Sequence, residues 1–130
     1  MKLKCIFCVI MSAIFATLSF ADVQHTKDPL DLVKSRFEKK ESVLLDVREE
    51  DEWIDGHIVG ATFLPLSKLS NLSSSTTLEF PKDKMLYVHC RSGKRALKAA
   101  AILIDKGYKD VRPLSQGFTE LVEFGFKQIK

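Results

Sequence analysis

A chain of 130 residues with 45% hydrophobic and 28% charged side chains has the size and makeup of one ordinary globular domain. Its 20 Lys and Arg stand against 17 Asp and Glu, a net charge of +3, and nothing in it is collagen-like, low-complexity or broadly disordered. Lys2 and Lys4 open the chain, "CIFCVIMSAIFATLSF" follows without a charge, and Ser19-Phe20-Ala21 puts small residues at the two positions a signal peptidase reads. This pattern predicts a secretory signal peptide over 1–21, cleaved after Ala21, with retention as a single membrane anchor the alternative; an apolar run of about 16 residues is short of the ~20 that span a bilayer. Taking Lys2 and Lys4 from the 20 basic residues leaves 18 against 17 acids, net +1. An almost neutral domain without a basic stripe excludes a nucleic-acid footprint, and no membrane contact is expected after cleavage. Cys5 and Cys8 go with the leader, so their C-x-x-C spacing carries no redox or metal reading, and Cys90 remains alone. A periplasmic or secreted chain with one cysteine has no internal disulfide and folds on its core, which about 109 residues can supply.

From there the elements follow in chain order. Asp28-Pro29 reads as an N-cap and first helical residue, with Leu30, Val33 and Phe37 on one helical face. "SVLLDV" (42–47) is a short buried strand and "EEDEWIDG" (49–56) an acidic helix stopped by Gly56. "ATFLPL" (61–66) is strand-like up to Pro65, "SKLSNL" is a helical turn, and "SSSTTLEFPKD" is a polar loop. "KMLYVHC" (84–90) is a second buried strand, "KRALKAAAILIDKG" (94–107) a helix stopped by Gly107, "KDVRPL" another strand, and "GFTELVEFG" a last short helix. Strands alternating with helices predict an α/β domain with a mainly parallel sheet, whose ligands bind beyond the carboxyl ends of the strands.

Cys90 stands at such an end. "CRSGKR" joins strand to helix, Gly93 permits backbone angles other residues resist, and consecutive amides in such a loop form an anion-binding nest. The positive end of the following helix and the side chains of Arg91, Lys94 and Arg95 add to the local potential. Each effect favours thiolate over thiol, so Cys90 is expected to be a nucleophile that faces an anionic substrate. A phosphate-binding P-loop is excluded, because it would need Gly where Val88 stands and Ser or Thr where Arg95 stands.

"CRSGKRA" resembles the active-site loop of the rhodanese family of sulfurtransferases, "LLDVREEDEWIDGHIVGATFLPL" resembles its first signature, and "LIDKGYKDVRPLSQGFTEL" its C-terminal one. The resemblance covers roughly residues 28–126 and, with the leader, is to small periplasmic rhodaneses of bacteria. It implies a rhodanese-like domain over 28–130, with a mainly parallel five-stranded sheet flanked by helices and the active-site loop between a strand end and a helix N-terminus. It implies a thiosulfate-type sulfurtransferase in which Cys90 takes a sulfane sulfur as a persulfide and passes it to cyanide or a thiol. The amides of 91–95 would cradle the persulfide, so Arg91, Ser92, Gly93, Lys94 and Arg95 are the expected substrate-binding residues. Asp46 and Arg48 are expected to support the site. Asp46 would hydrogen-bond to the loop or pair with Arg48 or Arg95. No metal or organic cofactor is implied, the partners are a small anionic sulfur donor and a thiol or cyanide acceptor, with a protein sulfur acceptor or thiol reductant as a further possibility, and a monomer is the default. A sulfur carrier or regulatory module that does not turn over is the alternative. A rhodanese-like phosphatase or arsenate reductase would have five residues between cysteine and arginine, where this chain has four between Cys90 and Arg95.

Three histidines and one cysteine at these spacings make no metal site. His57 and Trp53 read as structural, His89 points away from Cys90 by strand alternation, and His25 reads as solvated. Gln116-Gly117 stands where the family often has two glycines, which bears on the shape of the loop facing the site.

Overall fold

In the computed structural model, residues 22–73 and 75–130 are described, and the expected leader lies outside them. Helix α1 (Leu30–Glu38) leads to β1 (Ser42–Asp46), α2 (Glu50–Asp55), β2 (His57–Ile58), β3 (Thr62–Phe63) and α3 (Leu66–Asn71). Then come β4 (Met85–His89), α4 (Lys94–Asp105), β5 (Asp110–Pro113), α5 (Phe118–Phe124) and β6 (Gln128–Ile129). The sheet has the order β3-β1-β4-β5, with every neighbouring pair parallel. The α/β class and parallel sheet are as expected; the strand count is four. The remaining short strands, β2 and β6, pair with each other in an antiparallel ribbon. They are two residues each, too short for a period-2 pattern to announce them.

Alternation along the strands divides the core in two. Leu45, Leu86, Val88 and Cys90 pack with Ala96, Ala99 and Leu103 of α4 and Leu69 of α3. Leu44 and Tyr87 pack on the other face with Val33 of α1, Leu121 of α5, Ile58, Leu114 and Phe126. The alanines of α4 let that helix lie close over the strand that ends in the cysteine. Apolar burial at about 25 cal/mol per Å² on both faces is what holds a domain without disulfides.

The N-cap of α1 is Pro29, one residue later than the sequence predicts. Asp28 makes no cap because its carboxylate is already occupied. Tyr87 Oη donates to Oδ2 at 2.7 Å, Arg112 Nη1 at 2.8 Å and Arg36 Nη1 at 3.2 Å. Burial raises the Asp28 carboxyl, but the hydrogen bonds from Arg112 and Tyr87 and the two guanidinium charges together outweigh it and hold it below its ordinary value. Residues 22–29 thereby lie as a strap across the ends of β4 and β5, with Thr26 N–H donating to the Pro113 carbonyl at 2.8 Å. No helix among the described residues is long and apolar enough to cross a membrane.

Candidate active site

The site is built where β4 stops. His89 is the last strand residue, 91–93 form a tight bend, and α4 starts at Lys94 with Gly93 as its N-cap at φ 87°, ψ −15°. This left-handed conformation is one that glycine adopts without steric cost. At this bend the Gly93 N–H donates to Cys90 Sγ at 3.1 Å. The sulfur therefore sits beside the positive end of a 12-residue helix with an amide aimed at it. Cys90 is fully buried at the base of the loop, while Arg91, Ser92 and Lys94 are exposed around it.

The C-terminal part of the chain closes the loop from behind. Phe118 N–H donates to the Cys90 carbonyl at 2.9 Å. Gly117 comes so near that a Cβ there would stand 1.9 Å from the Arg91 carbonyl oxygen. One glycine of "SQG" is thus demanded by close approach of two backbones, whatever stands at 116.

Arg95 is placed differently from Arg91 and Lys94. Its guanidinium makes a two-point ion pair with Glu52 of α2, at 2.6 and 2.8 Å. The Arg95 hydrogen bonds, with help from the Glu49 amide and against partial burial, pull the Glu52 carboxyl down to about 2. Glu52 Oε2 also accepts the Glu49 N–H at 2.8 Å, capping its own helix. Arg95 therefore ties α4 to α2, with its charge compensated by Glu52. The free cations at the mouth are Arg91 and Lys94, for which no ion pair is found among the described residues.

Asp46 pairs with Arg48, the first of its two expected partners. Arg48 Nε donates to Oδ1 and Oδ2 at 3.0 and 3.1 Å, and Nη2 to Oδ2 at 2.7 Å. Both residues are buried, and Arg48 Nη2 also reaches the Gly56 carbonyl at 2.8 Å. The guanidinium lies 4.1 Å from the centre of the Phe118 ring. Support of the cysteine loop thus runs from Asp46 through Arg48 to Phe118, whose amide holds the Cys90 carbonyl. A shallow recess of about 230 Å³ adjoins this cluster, lined by Arg48, Glu52, Asp55, Arg91 and Phe118 among others.

The histidines separate clearly. His57 stacks on Trp53, ring centres 3.6 Å apart, with Nδ1 2.9 Å from the Trp53 carbonyl, a structural pairing. His89 is fully buried on the face opposite Cys90, Nε2 3.6 Å from Asp46 Oδ2; burial pushes its imidazole below the ordinary range more than Asp46 raises it. His25 is a correction. It is half-buried, with Nε2 2.9 Å from the Gly93 carbonyl oxygen, against the cysteine loop itself. The strap carries no periodic pattern, so no local signal in the sequence places this residue. Among the described residues no group of three or more His, Cys, Asp or Glu could hold a metal.

The model of the rhodanese-like domain matches residues 29–123. The chain belongs to the rhodanese-like domain family. A thiosulfate sulfurtransferase, GlpE, of Coxiella burnetii is 32% identical over 101 residues, 78% of this chain and 86% of its own. Among solved structures, a rhodanese-like domain from Anabaena superimposes with a TM-score of 0.67 at 26% identity, over 82% of this chain and 80% of that one. A human single-domain sulfurtransferase does so with a TM-score of 0.63 at 25% identity, over 72% and 92%. The fold, the thiosulfate sulfurtransferase and single-domain sulfurtransferase among these relatives and the cysteine loop agree with sulfur transfer as the class of chemistry.

Proposed function

We propose that this rhodanese-like protein is an exported thiosulfate-type sulfurtransferase whose nucleophile is Cys90. The observation that carries the reading is the Gly93 amide on Cys90 Sγ at the N-terminus of α4. That geometry stabilises negative charge on sulfur, first as thiolate and then as persulfide. Arg91 and Lys94 at the mouth attract the dianionic donor.

The thiolate attacks the outer, sulfane sulfur of thiosulfate. A new S–S bond forms to Cys90 as the S–S bond of the donor breaks, and sulfite leaves with the bonding pair. The product is a Cys90 persulfide carrying one negative charge. In the second half-reaction cyanide attacks the terminal sulfur and leaves as thiocyanate, or a thiolate attacks and leaves as a persulfide, and the electron pair returns to the Cys90 thiolate. No redox partner is needed. Two half-reactions through one covalent intermediate imply ping-pong kinetics. The residues from Cys90 to Arg95 leave a tight loop, suited to a sulfur atom and not to the larger phosphate or arsenate group.

Mixing reduced protein with thiosulfate and recording intact mass tests the first step. A gain of one sulfur atom that is absent in Cys90→Ser is the expected result, and no gain near neutral pH sinks the reading. Multiple turnovers with cyanide or a small thiol support an enzyme. A rapid mass gain with negligible turnover identifies a carrier instead. Secretion of the full chain, read by fractionating cells, tests export.

A further inference from the structure

Gly93 is the residue on which the sulfur's environment depends, and glycine is the residue least able to hold its own conformation. Its N–H, part of the Ser92–Gly93 peptide, meets Cys90 Sγ with Gly93 at φ 87° and ψ −15°, the angles that join that peptide to the start of α4. Three contacts restrain it. Leu97 N–H donates to its carbonyl at 3.3 Å as the first bond of α4. The Ser115 carbonyl oxygen lies 3.2 Å from where a Cβ would stand. The third is His25, which approaches from the strap: Nε2 is 2.9 Å from the Gly93 carbonyl oxygen, and the ring lies against the glycine itself, Nε2 and Cε1 being 2.9 and 3.4 Å from the same Cβ position.

A carbonyl oxygen only accepts, so Nε2 bears the proton. The bond fixes the Gly93–Lys94 peptide plane. In a trans peptide the Lys94 N–H points opposite to the carbonyl, so a donor on the oxygen also polarises that amide at the helix start. The ring's packing limits rotation on the other side of Cα. His25 is itself held firmly, through Thr26 on the Pro113 carbonyl and through Asp28 with Arg112, Arg36 and Tyr87.

We propose that His25 is a positioning residue of the cysteine loop, its Nε2–H and ring clamping Gly93 so that the loop amide stays on the reacting sulfur. The inference rests on Cys90 as the nucleophile. It links the N-terminal strap to the reaction without requiring His25 to touch substrate or move a proton.

The test compares His25→Phe, which keeps a ring and loses the donor, with His25→Gln, whose amide can donate to the same carbonyl. Two readouts are taken on each folded variant: the rate of Cys90 alkylation by iodoacetamide and the rate of persulfide formation from thiosulfate. At least a fivefold slowing in His25→Phe, with His25→Gln within twofold of the wild type, is expected in both. Equal rates in all three proteins overturn the proposal, and so does an equal loss in both variants, which would assign His25 to packing alone. If thiosulfate gives no persulfide in the wild type, the sulfur-transfer reading fails while alkylation still decides the clamp. Should His25→Phe not fold, the wild-type protein answers by nitrogen NMR of the imidazole. Protonated Nε2 with a coupling to the Gly93 carbonyl supports the clamp; a proton on Nδ1 alone with no such coupling overturns it.

Discussion

Two glycines and two arginines show how closely roles are divided at the level of single residues. Gly93 is required by its backbone angle. Gly117, at φ −91°, ψ 179°, has an ordinary extended backbone and is required only by the Arg91 carbonyl beneath it. Gly117→Ala must push two main chains apart, at a cost of about 3 kcal/mol, the upper range for inserting a methyl into a packed site. Chemical denaturation should show that loss, together with a slower alkylation of Cys90, because Arg91 adjoins the cysteine. The arginines divide by partner. Arg91 is exposed and unpaired among the described residues, so Arg91→Ala should raise KM for thiosulfate roughly two- to fivefold and leave kcat nearly unchanged, as screened surface charges do. Added salt should shrink that difference. Arg95→Ala should instead lower stability, since it leaves Glu52 without its counter-charge. In the sequence the two arginines look alike, because both follow the cysteine closely. Chain proximity says nothing about a carboxylate 43 positions away in another helix.

At the level of elements, α2 and α4 are joined by that ion pair, and its pH dependence follows from Glu52. The Glu52 carboxyl falls from an ordinary 4.5 to about 2 in the folded protein. A group lowered on folding contributes stability that is complete above its unfolded value and is lost as pH falls through the folded value. The contribution should therefore be intact above about pH 5 and decline between about pH 4.5 and 2. Glu52→Gln should be less stable near neutrality and lose less stability than wild type over that acid interval, as urea titrations at a series of pH values would show. An unchanged acid slope would mean that the pair carries no net energy. The elements themselves were mostly legible. β1 and β4 carry apolar runs, Val43–Leu45 and Met85–Val88, of the kind found in strands buried on both faces, and α4 has the alanine and leucine pattern of a helix packed on a sheet. α1 starts one residue later than its sequence indicates because Asp28 has the right side chain for a cap and spends it on Tyr87 and two arginines. The ribbon β2–β6 is not legible in the sequence because pairing between chain-distant dipeptides leaves no local trace.

Across the whole molecule, the motif around Cys90 is legible as the loop of the rhodanese-like family, whereas the strap that holds the loop is visible only in three dimensions. This division suggests that stability and reactivity separate by location. Phe126 closes the face of the core opposite Cys90: it is 3% exposed, packs with Val33, Leu44, Ile58 and Leu121, and stacks on Phe37 with ring centres 6.2 Å apart. It follows α5 and leads into β6, so it pins the C-terminal segment to α1. Phe126→Ala removes a buried aromatic ring and should cost about 3 kcal/mol, lowering the thermal midpoint by several degrees for a domain of this size. The cysteine loop is restrained by main-chain, polar and ionic contacts from Gly117, Phe118, Glu52 and His25, of which only Phe118 also packs against the cluster that holds Phe126. The folded fraction of Phe126→Ala should therefore form persulfide at the wild-type rate, measured at a temperature well below its midpoint. A slowed first half-reaction in fully folded Phe126→Ala would show instead that the two faces of the sheet communicate. The loop's geometry would then be set by packing throughout the domain, and the clamp around Gly93 would be only part of what maintains it.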